Sequence, residues 1–502
     1  MNYLLAHKHI IRGEGVMRRK VISGLLSVVL MTTSCLFVGC GSTSSSGSAG
    51  TSASVGEDAQ SAESTASISE DATAKSDSAD KVKITYAQWG NDTETAACQK
   101  VADKFNASQD KIEVEVLKID YDNYISKLNT MATAGTLPDT AIMSEAGTLT
   151  FAKNGLLADI SSMYGEGESK PLDSLTFKYQ DKPVAYSAAN EVLNLWYNQD
   201  LLKKVCDEQG LNISDVTPPA SADKAWTWDD FVKTAQELTV DVNGNNALSP
   251  KFDPNNVDVY GCTVNTLPWQ LEVWCKSNGG GFYSEDGKTC IINQKEATDA
   301  IQAVADLSLK YHCAPPISDA SQALSTSLGS EKVVMATDGA WNVGTYLGPD
   351  AKFKYSVGVL PYFKDKVTIC TGGPNVVFAT TKHPEEAMTW LKWYYQEENS
   401  WSLIEAGTWM PILDKWYTDS TLTDKWINNP NFPDHDTYKS AVVDYAKNNS
   451  KSTAWYTVAG TDVFNTSLAT ALSYVWTGDK TAQQAMDEYY DELNGIFTEN
   501  NQ

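Results

Sequence analysis

The sequence predicts an α/β protein whose globular part forms two lobes. Residues 82–143 alternate between strand-like and helix-like patterns, and a second alternation follows residue 198. The chain after residue 80 is too long for one ordinary core, because single cores stop growing at roughly 250–300 residues. Alternating strands and helices favour sheets that are covered by helices. We therefore expect two sheets, each forming the core of one lobe.

The first lobe begins with a repeated strand–helix pattern. Strands alternate apolar and polar residues, whereas helices repeat apolar residues three or four positions apart. The predicted elements are strand Val82–Ala87, helix Thr93–Phe105, strand Ile112–Ile119, helix Tyr121–Ala134 and strand Leu137–Met143. Right-handed crossovers make such strands parallel, and ligands gather at their carboxyl ends. Two polar segments, Trp89–Asp92 and Ser144–Glu145, follow strands in this way.

The remainder of the chain repeats the alternation and becomes helical towards its end. A strand is expected to continue out of the first lobe, and the residues after it open the second. The predicted elements are strand Val184–Tyr197, helices starting at Asn198 and Trp228, strand Val257–Cys262, helix Glu296–Tyr311, strands Lys332–Asp338 and Tyr355–Pro361, and helices Pro384–Tyr395 and Thr481–Phe497.

The segment before the globular part has the pattern of a secretory signal. Residues 1–39 are predicted to be a signal peptide whose true start is Met17, with a basic cluster, an apolar stretch and small residues before Cys40. This pattern resembles a bacterial lipoprotein signal, in which the cysteine takes the lipid. Residues 40–80 are rich in Ser, Thr, Gly, Ala and acids and form the predicted flexible tether. A membrane-spanning helix is disfavoured because the apolar stretch falls short of ~20 residues.

The net charge of the chain restricts the classes of molecule that it can bind. The chain has 39 Lys and Arg against 64 Asp and Glu, a formal net charge of −25. So acidic a protein repels nucleic acid and anionic headgroups, which excludes both as partners. No arginine follows Arg19. Because Arg is favoured for carboxylate and phosphate ligands, its absence favours a neutral ligand.

Cysteine and histidine usage disfavours a metal centre. The globular part has seven cysteines without CxxC spacing, so either buried free thiols or one or two disulfides are expected. Asp241–Asn245 resembles a calcium loop, but Phe252 stands where the bidentate Glu of such a loop belongs, so a polar turn is favoured. No cofactor or metal is expected.

Eight segments resemble, in the same order, the extracellular solute-binding proteins (family 1, maltose-binding-like) of bacterial sugar ABC transporters. They are Val82–Trp89, Leu137–Asp139, Leu195–Leu202, Asp253–Gly261, Ser277–Gly280, Asp338–Trp341, Gly358–Pro361 and Val475–Ala482. The resemblance implies a periplasmic-binding-protein-like fold with two lobes and three hinge crossings. These crossings are expected near Asn190, Val359 and Leu413. Lobe 1 would then comprise 81–190 and 359–413, and lobe 2 would comprise 191–358 and 414–502.

The resemblance and the strand ends together indicate candidate ligand contacts. Aromatic rings pack against the C–H faces of sugars, while carboxylates and amides pair with sugar hydroxyls. In this family an aromatic residue at the position of Trp341 stacks on sugar, and an acid at the position of Glu191 reaches the ligand. The candidate residues are Trp89, Asn91, Asp92, Glu145, Glu191, Trp269, Trp341, Asn375 and Trp409. For each, the alternative is a structural role in packing, helix capping or ion pairing.

The implied function is a receptor that captures a neutral carbohydrate, an oligosaccharide by preference, between two lobes. It would act as a monomer on the outer face of the cytoplasmic membrane, anchored through Cys40, and deliver the sugar to permease subunits that work with a separate ATPase. A secreted glycoside hydrolase is one alternative, because such enzymes are also rich in Trp and carboxylates. A peptide-binding receptor of the same architecture is the other.

Overall fold

A computed structural model describes residues 81–501 except positions 91, 121–122, 167, 318–327, 346, 348–350, 397–398, 406 and 408. The predicted signal peptide, Cys40, the tether and Asn91 lie outside the described residues. Within them, no helix has the length and apolar character needed to cross a membrane.

The first sheet has six strands and forms the core of lobe 1. Its strands are β1 (Val82–Gln88), β2 (Ile112–Lys118), β3 (Thr140–Ile142), β4 (Thr176–Tyr179), β5 (Lys182–Ser187) and β12 (Pro374–Val377). Their order is β2-β1-β3-β12-β5-β4. β1 is parallel to β2 and β3, as the repeated strand–helix pattern predicts. β12, β5 and β4 pair antiparallel.

The second sheet has seven strands and forms the core of lobe 2. They are β6 (Glu191–Asn198), β7 (Val240–Asp241), β8 (Val257–Val264), β9 (Val333–Gly339), β10 (Tyr355–Gly358), β11 (Thr368–Thr371) and β13 (Ser450–Ser452). The main order is β13-β11-β6-β9-β8-β7, and β10 also pairs with β6. All eight residues of β6 are buried, as expected for a central strand whose sheet is covered on its faces.

Helices cover both sheets. They are α1 (Asp92–Ser108), α2 (Tyr124–Ala134), α3 (Glu145–Lys153), α4 (Gln199–Gln209), α5 (Ile213–Val216), α6 (Trp228–Leu238), α7 (Pro268–Ser277), α8 (Lys295–Leu309), α9 (Asn342–Thr345), α10 (Pro384–Tyr395), α11 (Trp401–Glu405), α12 (Lys415–Thr418), α13 (Ser420–Ile427), α14 (His435–Tyr438), α15 (Tyr445–Asn449), α16 (Thr461–Trp476) and α17 (Ala482–Asn501). α2 ends at Gly135 in the left-handed conformation, the usual signal for a helix end.

The chain passes between the two sheets at three places. The first passage joins β5 to β6 through 188–190, so the single strand expected over Val184–Tyr197 is two strands in different sheets. The second joins β11 to β12 through 372–373. The third runs through 409–413, where Leu413 pairs with Pro171.

The second passage corrects a prediction. It was expected near Val359, but β11 comes later and still pairs with β6, so residues 359–371 belong to the second sheet. The end of strand β10 at Gly358 does not show whether the chain then crosses to the other sheet. The chain instead returns to the same sheet, and no local sequence pattern distinguishes that return from a crossing.

Hydrogen bonds join the three passages. Ala188 N–H donates to the Gly373 carbonyl at 2.8 Å, and Asn190 N–H donates to the Met410 carbonyl at 3.1 Å. Gly372 has φ +149°, and a Cβ there would lie 2.1 Å from the Ala189 carbonyl oxygen. Only glycine fits this conformation and this close approach.

Two acids, Glu191 in the buried interior and the half-buried Glu145, also hold the passages. The Glu191 carboxylate accepts a hydrogen bond from Met410 N–H at 2.9 Å. The Glu145 carboxylate accepts from Thr371 Oγ1 at 2.8 Å and from Gly372 N–H at 3.2 Å. Burial raises the pKa of Glu145 and raises that of Glu191 well above its usual value, although backbone amides oppose the shift in both.

The seven cysteines of the globular part are free thiols, each of them buried. Of the two possibilities left open by the sequence, the structure therefore has free thiols. Burial raises the pKa of Cys98 and Cys370 to about 12 and that of Cys290 to about 11. Protonated, buried thiols are poor nucleophiles.

Asp241 forms the centre of a polar turn. Its carboxylate accepts from the N–H groups of Asn243 at 2.8 Å and of Asn245 and Asp253 at 2.9 Å. Burial acts to raise the pKa of Asp241, but hydrogen bonds from Asn245 and Asp253 outweigh it and hold the pKa at about 2. In the described part of the chain, no group of three or more His, Cys, Asp or Glu is arranged to hold a metal ion.

Replacing Gly372 by Ala should destabilise the protein by at least ~2 kcal/mol, because the new methyl group collides with the Ala189 carbonyl in a conformation that Ala avoids. Thermal and urea unfolding measure the change. Gly495→Ala is the matched control, since nothing lies within 4 Å of its added Cβ in helix α17. It should be neutral or slightly stabilising. Equal stability of the two variants would contradict the requirement for glycine at position 372.

Glu191→Gln should make stability less dependent on pH. Because the pKa of Glu191 is raised in the folded state, its contribution is favourable below the unfolded value of about 4.3 and is lost as pH rises towards the folded pKa. The glutamine oxygen can still accept from Met410 N–H. Melting temperatures measured from pH 4 to pH 8 should therefore fall more steeply with pH in the wild type. If melting temperature depended on pH in the same way in both proteins, the Glu191 carboxyl would not be the source of the pH dependence.

Candidate functional site

Three tryptophans of lobe 2 form a row. Trp341 lies two residues after Gly339, the last residue of β9, and Trp269 lies in the first turn of α7. The Trp269 ring centroid is 6.2 Å from that of Trp341 and 5.1 Å from that of Trp455. A Cβ on Gly339 would lie 1.8 Å from a ring carbon of Trp341, so the indole packs directly on the glycine backbone. The structure thus brings two predicted aromatic residues together and adds a third.

A pocket opens beside this row. Trp269, Glu272, Tyr283, Trp455 and Asn465 are among its lining residues. The Glu272 carboxylate is buried, pairs with Lys276 at 3.2 Å and accepts from Ala454 N–H at 3.3 Å. The pocket therefore combines aromatic walls with a carboxylate whose charge is already balanced.

Buried polar side chains lie next to Trp341 in the sequence. Burial raises the pKa of Asp338 to about 6, against hydrogen bonds from Gly339 N–H at 2.8 Å and Gln270 Nε2 at 3.3 Å. Asn342 donates to the Gly339 carbonyl at 2.9 Å. Its side-chain oxygen accepts no hydrogen bond from the described residues. The strand end therefore presents an open acceptor near the aromatic row.

Glu191 connects this region to the passages between the lobes. The backbone amides of Met410 and Trp341 both favour its charged form, which places the carboxyl group near the start of the Trp341 segment. Its second oxygen, Oε2, is buried and accepts no hydrogen bond from the described residues. The same holds for Asn190 Oδ1 and for Gln88 Oε1. All three are acceptors, which a ligand bearing hydroxyl donors would satisfy.

The predicted residues of the first strand-to-helix turn lie in two different environments. The Trp89 ring meets Tyr124 edge-on at 5.1 Å and covers Gly373 of the second passage. Asp92 is fully exposed and forms an ion pair with Lys118 at 2.8 Å, which lowers its pKa. Trp89 therefore faces a passage between the lobes, whereas Asp92 lies in the first turn of α1 at the surface.

Glu145 and Asn375 make contacts within the fold. Glu145 is half-buried and bound by Thr371 and Gly372. Asn375 lies in β12, where its oxygen accepts from the Tyr86 hydroxyl at 2.6 Å. Its amide nitrogen is buried and finds no partner among the described residues. Ligand contact by either residue stays a prediction.

Trp409 lies in a second cleft, at the third passage. This cleft is lined mainly by apolar residues, which include Trp409, Met410, Ile412 and Trp416. Its position brings Trp409 close to the passages, but it is separate from the pocket beside Trp269.

Sequence reasoning missed Trp455, Gln270, Glu272 and Asn342. Gln270 and Glu272 follow Trp269 in the helix that carries it, and Asn342 follows Trp341, so each was within reach of a predicted residue. Trp455 has no such signal, because it lies in a short turn between β13 and α16 far along the chain. Only the folded structure brings it beside Trp269.

The fold is similar to that of several solved structures. An ABC substrate-binding protein from Listeria monocytogenes in complex with cycloalternan superposes with a TM-score of 0.67 at 20% identity, over 84% of this chain and 100% of that one. The cyclic α-maltosyl-1,6-maltose-binding protein from Arthrobacter globiformis gives a TM-score of 0.65 at 21% identity, over 84% and 100%. A solute-binding protein from Thermotoga lettingae bound with α-D-tagatose gives 0.65 at 21%, over 83% and 100%. At these identities the likeness shows the two-lobed fold.

The family follows from the sequence match. Residues 100–434 match the model of the bacterial extracellular solute-binding proteins, which is more than half of the chain. This match covers strands of both sheets and agrees with the two-lobed fold. The chain therefore belongs to the family of bacterial extracellular solute-binding proteins.

Proposed function

We propose that this protein is the carbohydrate receptor of an ABC importer and binds a neutral oligosaccharide. The observation that carries the proposal is the row of Trp341, Trp269 and Trp455 beside buried, unpartnered acceptors. A sugar offers C–H faces to indole rings and hydroxyl donors to acceptor oxygens. The absence of arginine after Arg19 also favours a ligand without charge.

The structural relatives support the ligand class. The proteins from Listeria monocytogenes and Arthrobacter globiformis bind cyclic oligosaccharides, and the protein from Thermotoga lettingae binds a monosaccharide. Carrying a sugar ligand over to this chain is our inference, because identities near 20% establish the fold alone.

Contacts between the lobes support capture by closure. Helix α3 of lobe 1 meets the start of α16, which packs with lobe 2: Thr461 Oγ1 donates to the Ala146 carbonyl at 3.0 Å, and Gly460 N–H donates to Thr150 Oγ1 at 3.3 Å. These contacts lie outside the three passages. A ligand that touches both lobes would favour the state that contains them.

The remaining parts of the proposal concern partners and location. The loaded receptor would act as a monomer and deliver sugar to permease subunits that draw energy from a separate ATPase. A lipid on Cys40 would hold it on the outer face of the cytoplasmic membrane, with residues 40–80 as the tether. The extracellular character of the family supports this placement.

A thermal-shift screen tests the ligand class. Neutral mono- and oligosaccharides are compared with short peptides, and a ligand that binds only the folded state raises the melting temperature. We expect at least one oligosaccharide to raise it by several degrees, whereas peptides should have no effect. A shift with peptides and with no sugar would contradict the proposal.

Trp341→Ala should weaken binding of the sugar found in the screen by at least about tenfold, since an aromatic anchor contributes more than ~1.4 kcal/mol. Isothermal titration measures the affinity. Trp476→Ala is the matched control, because Trp476 is also half-buried but lies at the end of α16. It should bind as the wild type does. Equal affinities of the two variants would move the site away from Trp341.

A further inference from the structure

Helix α3 of lobe 1 lies against α16 and α17, the last two helices of the chain. These helices belong to lobe 2, where Ala482 N–H at the start of α17 donates to Gln302 of α8 at 2.9 Å. Ala146, Thr150 and Lys153 make the contacts of α3. They are four and three positions apart, so they lie on one face of the helix. The surface that these three residues form with the start of α16 and the end of α17 is here called the latch.

The lobe 2 side of the latch consists of two helix ends that are bonded to each other. Asn501 accepts from Ala459 N–H at 2.8 Å and donates to the Ala459 carbonyl at 3.0 Å. Gly460 has φ +80°, and a Cβ there would lie 2.6 Å from the side chain of Asn500. The start of α16 and the end of α17 therefore form one continuous surface that faces α3.

The Thr150 hydroxyl lies at the centre of the latch. It accepts from Gly460 N–H at 3.3 Å and donates to Asp462 Oδ1 at 3.2 Å. One turn earlier in α3, the Ala146 carbonyl accepts from Thr461 Oγ1 at 3.0 Å. Gly460 is the N-cap of α16, and the start of a helix leaves backbone N–H groups without a partner inside the helix. A side chain of lobe 1 thus caps a helix of lobe 2.

Lys153 forms the outer edge of the latch. Its Nζ donates to the Glu499 carbonyl at 2.6 Å and to Asn500 Oδ1 at 3.1 Å. A cation is favourable there, because the last carbonyl groups of α17 have no partner within the helix and carry the negative end of its dipole. Lys153 is exposed and lies about 10 Å further along α3 than Ala146. It is therefore outside the pocket beside the aromatic row.

We propose that the latch stabilises the closed state of the receptor directly, so that Thr150 and Lys153 contribute to sugar affinity without contacting the sugar. This inference rests on the proposed function and deepens it. Rotation of the lobes about the three passages would separate α3 from both helix ends, so the latch contacts belong to the closed state. The observed affinity includes the equilibrium between open and closed receptor. The latch should therefore raise the affinity for every sugar by the same factor.

Thr150→Val tests the latch because it keeps the branched shape of the side chain and removes the hydroxyl. Two hydrogen bonds between the lobes are lost, and isothermal titration should show binding weakened by about threefold or more. The factor should agree within about twofold for all sugars found in the screen. Thr133→Val is the matched control, because the Thr133 hydroxyl donates to Asn129 within α2. It should bind as the wild type does.

The outcomes for Thr150→Val separate the inference from the proposed function. If this variant binds sugar as the wild type does while Trp341→Ala weakens binding, the inference is wrong and the proposed function stands. A loss that is confined to some sugars would indicate direct contact with the ligand and would also overturn the inference. If no sugar binds the wild type, the proposed function fails and the inference fails with it.

Lys153→Ala tests the outer edge of the latch. It should weaken binding of every sugar by about twofold or more, whereas Lys153→Arg keeps the charge and the donors and should restore affinity. Lys127→Ala removes an exposed lysine from α2 of the same lobe and is the control for the change in charge. Equal losses in Lys153→Ala and Lys127→Ala would contradict a role for the latch contact.

Hydrogen exchange on the wild-type protein tests whether the latch opens. Gly460 N–H donates to a residue of the other lobe, so it is protected by this bond only while the lobes are closed. We expect peptides that contain Gly460 to exchange more slowly when the sugar found in the screen is added. Peptides of α4, which lies within lobe 2, should change little. Equal protection of the Gly460 peptides with and without sugar would show that the contact is permanent and would overturn the inference.

Discussion

The hydrogen bond from Met410 N–H to the buried Glu191 carboxylate joins the places where the chain passes between its two sheets. Glu191 begins β6, and Met410 lies in the third passage. The second passage contributes the Gly373 carbonyl, which accepts from Ala188 N–H. Because the three passages are bonded to one another, they act as one hinge unit.

The candidate site follows from this hinge. β6 lies in the middle of the second sheet and pairs with β9, β10 and β11. Its pairing with β9 places Gly339 opposite Leu193, so the segment that carries Trp341 starts beside the hinge. A buried carboxylate and an aromatic residue meet there because one strand begins where its neighbour ends. The sheet geometry thus brings the buried carboxylate and the aromatic residue to the same edge of the second sheet.

Much of the fold could be predicted from the sequence because local patterns encode it. The alternation in 82–118, the stop at Gly135 and the proline that opens α10 each predict an element that the structure contains. The position of the second passage could not be predicted, since Gly358 and Gly372 both end strands and only long-range pairing distinguishes them.

The site could be predicted only in part, for the same physical reason. Trp341 comes after a predicted strand and Trp269 comes after a proline, so both positions are recognisable in the sequence. The fold brings the two residues together. Trp455 lies four residues before Ala459, which is hydrogen-bonded to Asn501 across 42 residues of chain, and no periodicity in the sequence reports such a contact. Asp92 is the opposite case, a residue that was predicted to contact the ligand because it is polar and follows a strand end. In the structure it forms an ion pair with Lys118 at the surface.

The burial of every described cysteine has a practical consequence for this receptor outside the cell. Thiols that are buried in packed cores are not accessible to oxidants or alkylating reagents. The globular part therefore behaves chemically as if it lacked cysteine. A single cysteine introduced at its surface would stand alone as a reactive handle, so a fluorescent probe could be attached at one chosen position without removing any native residue.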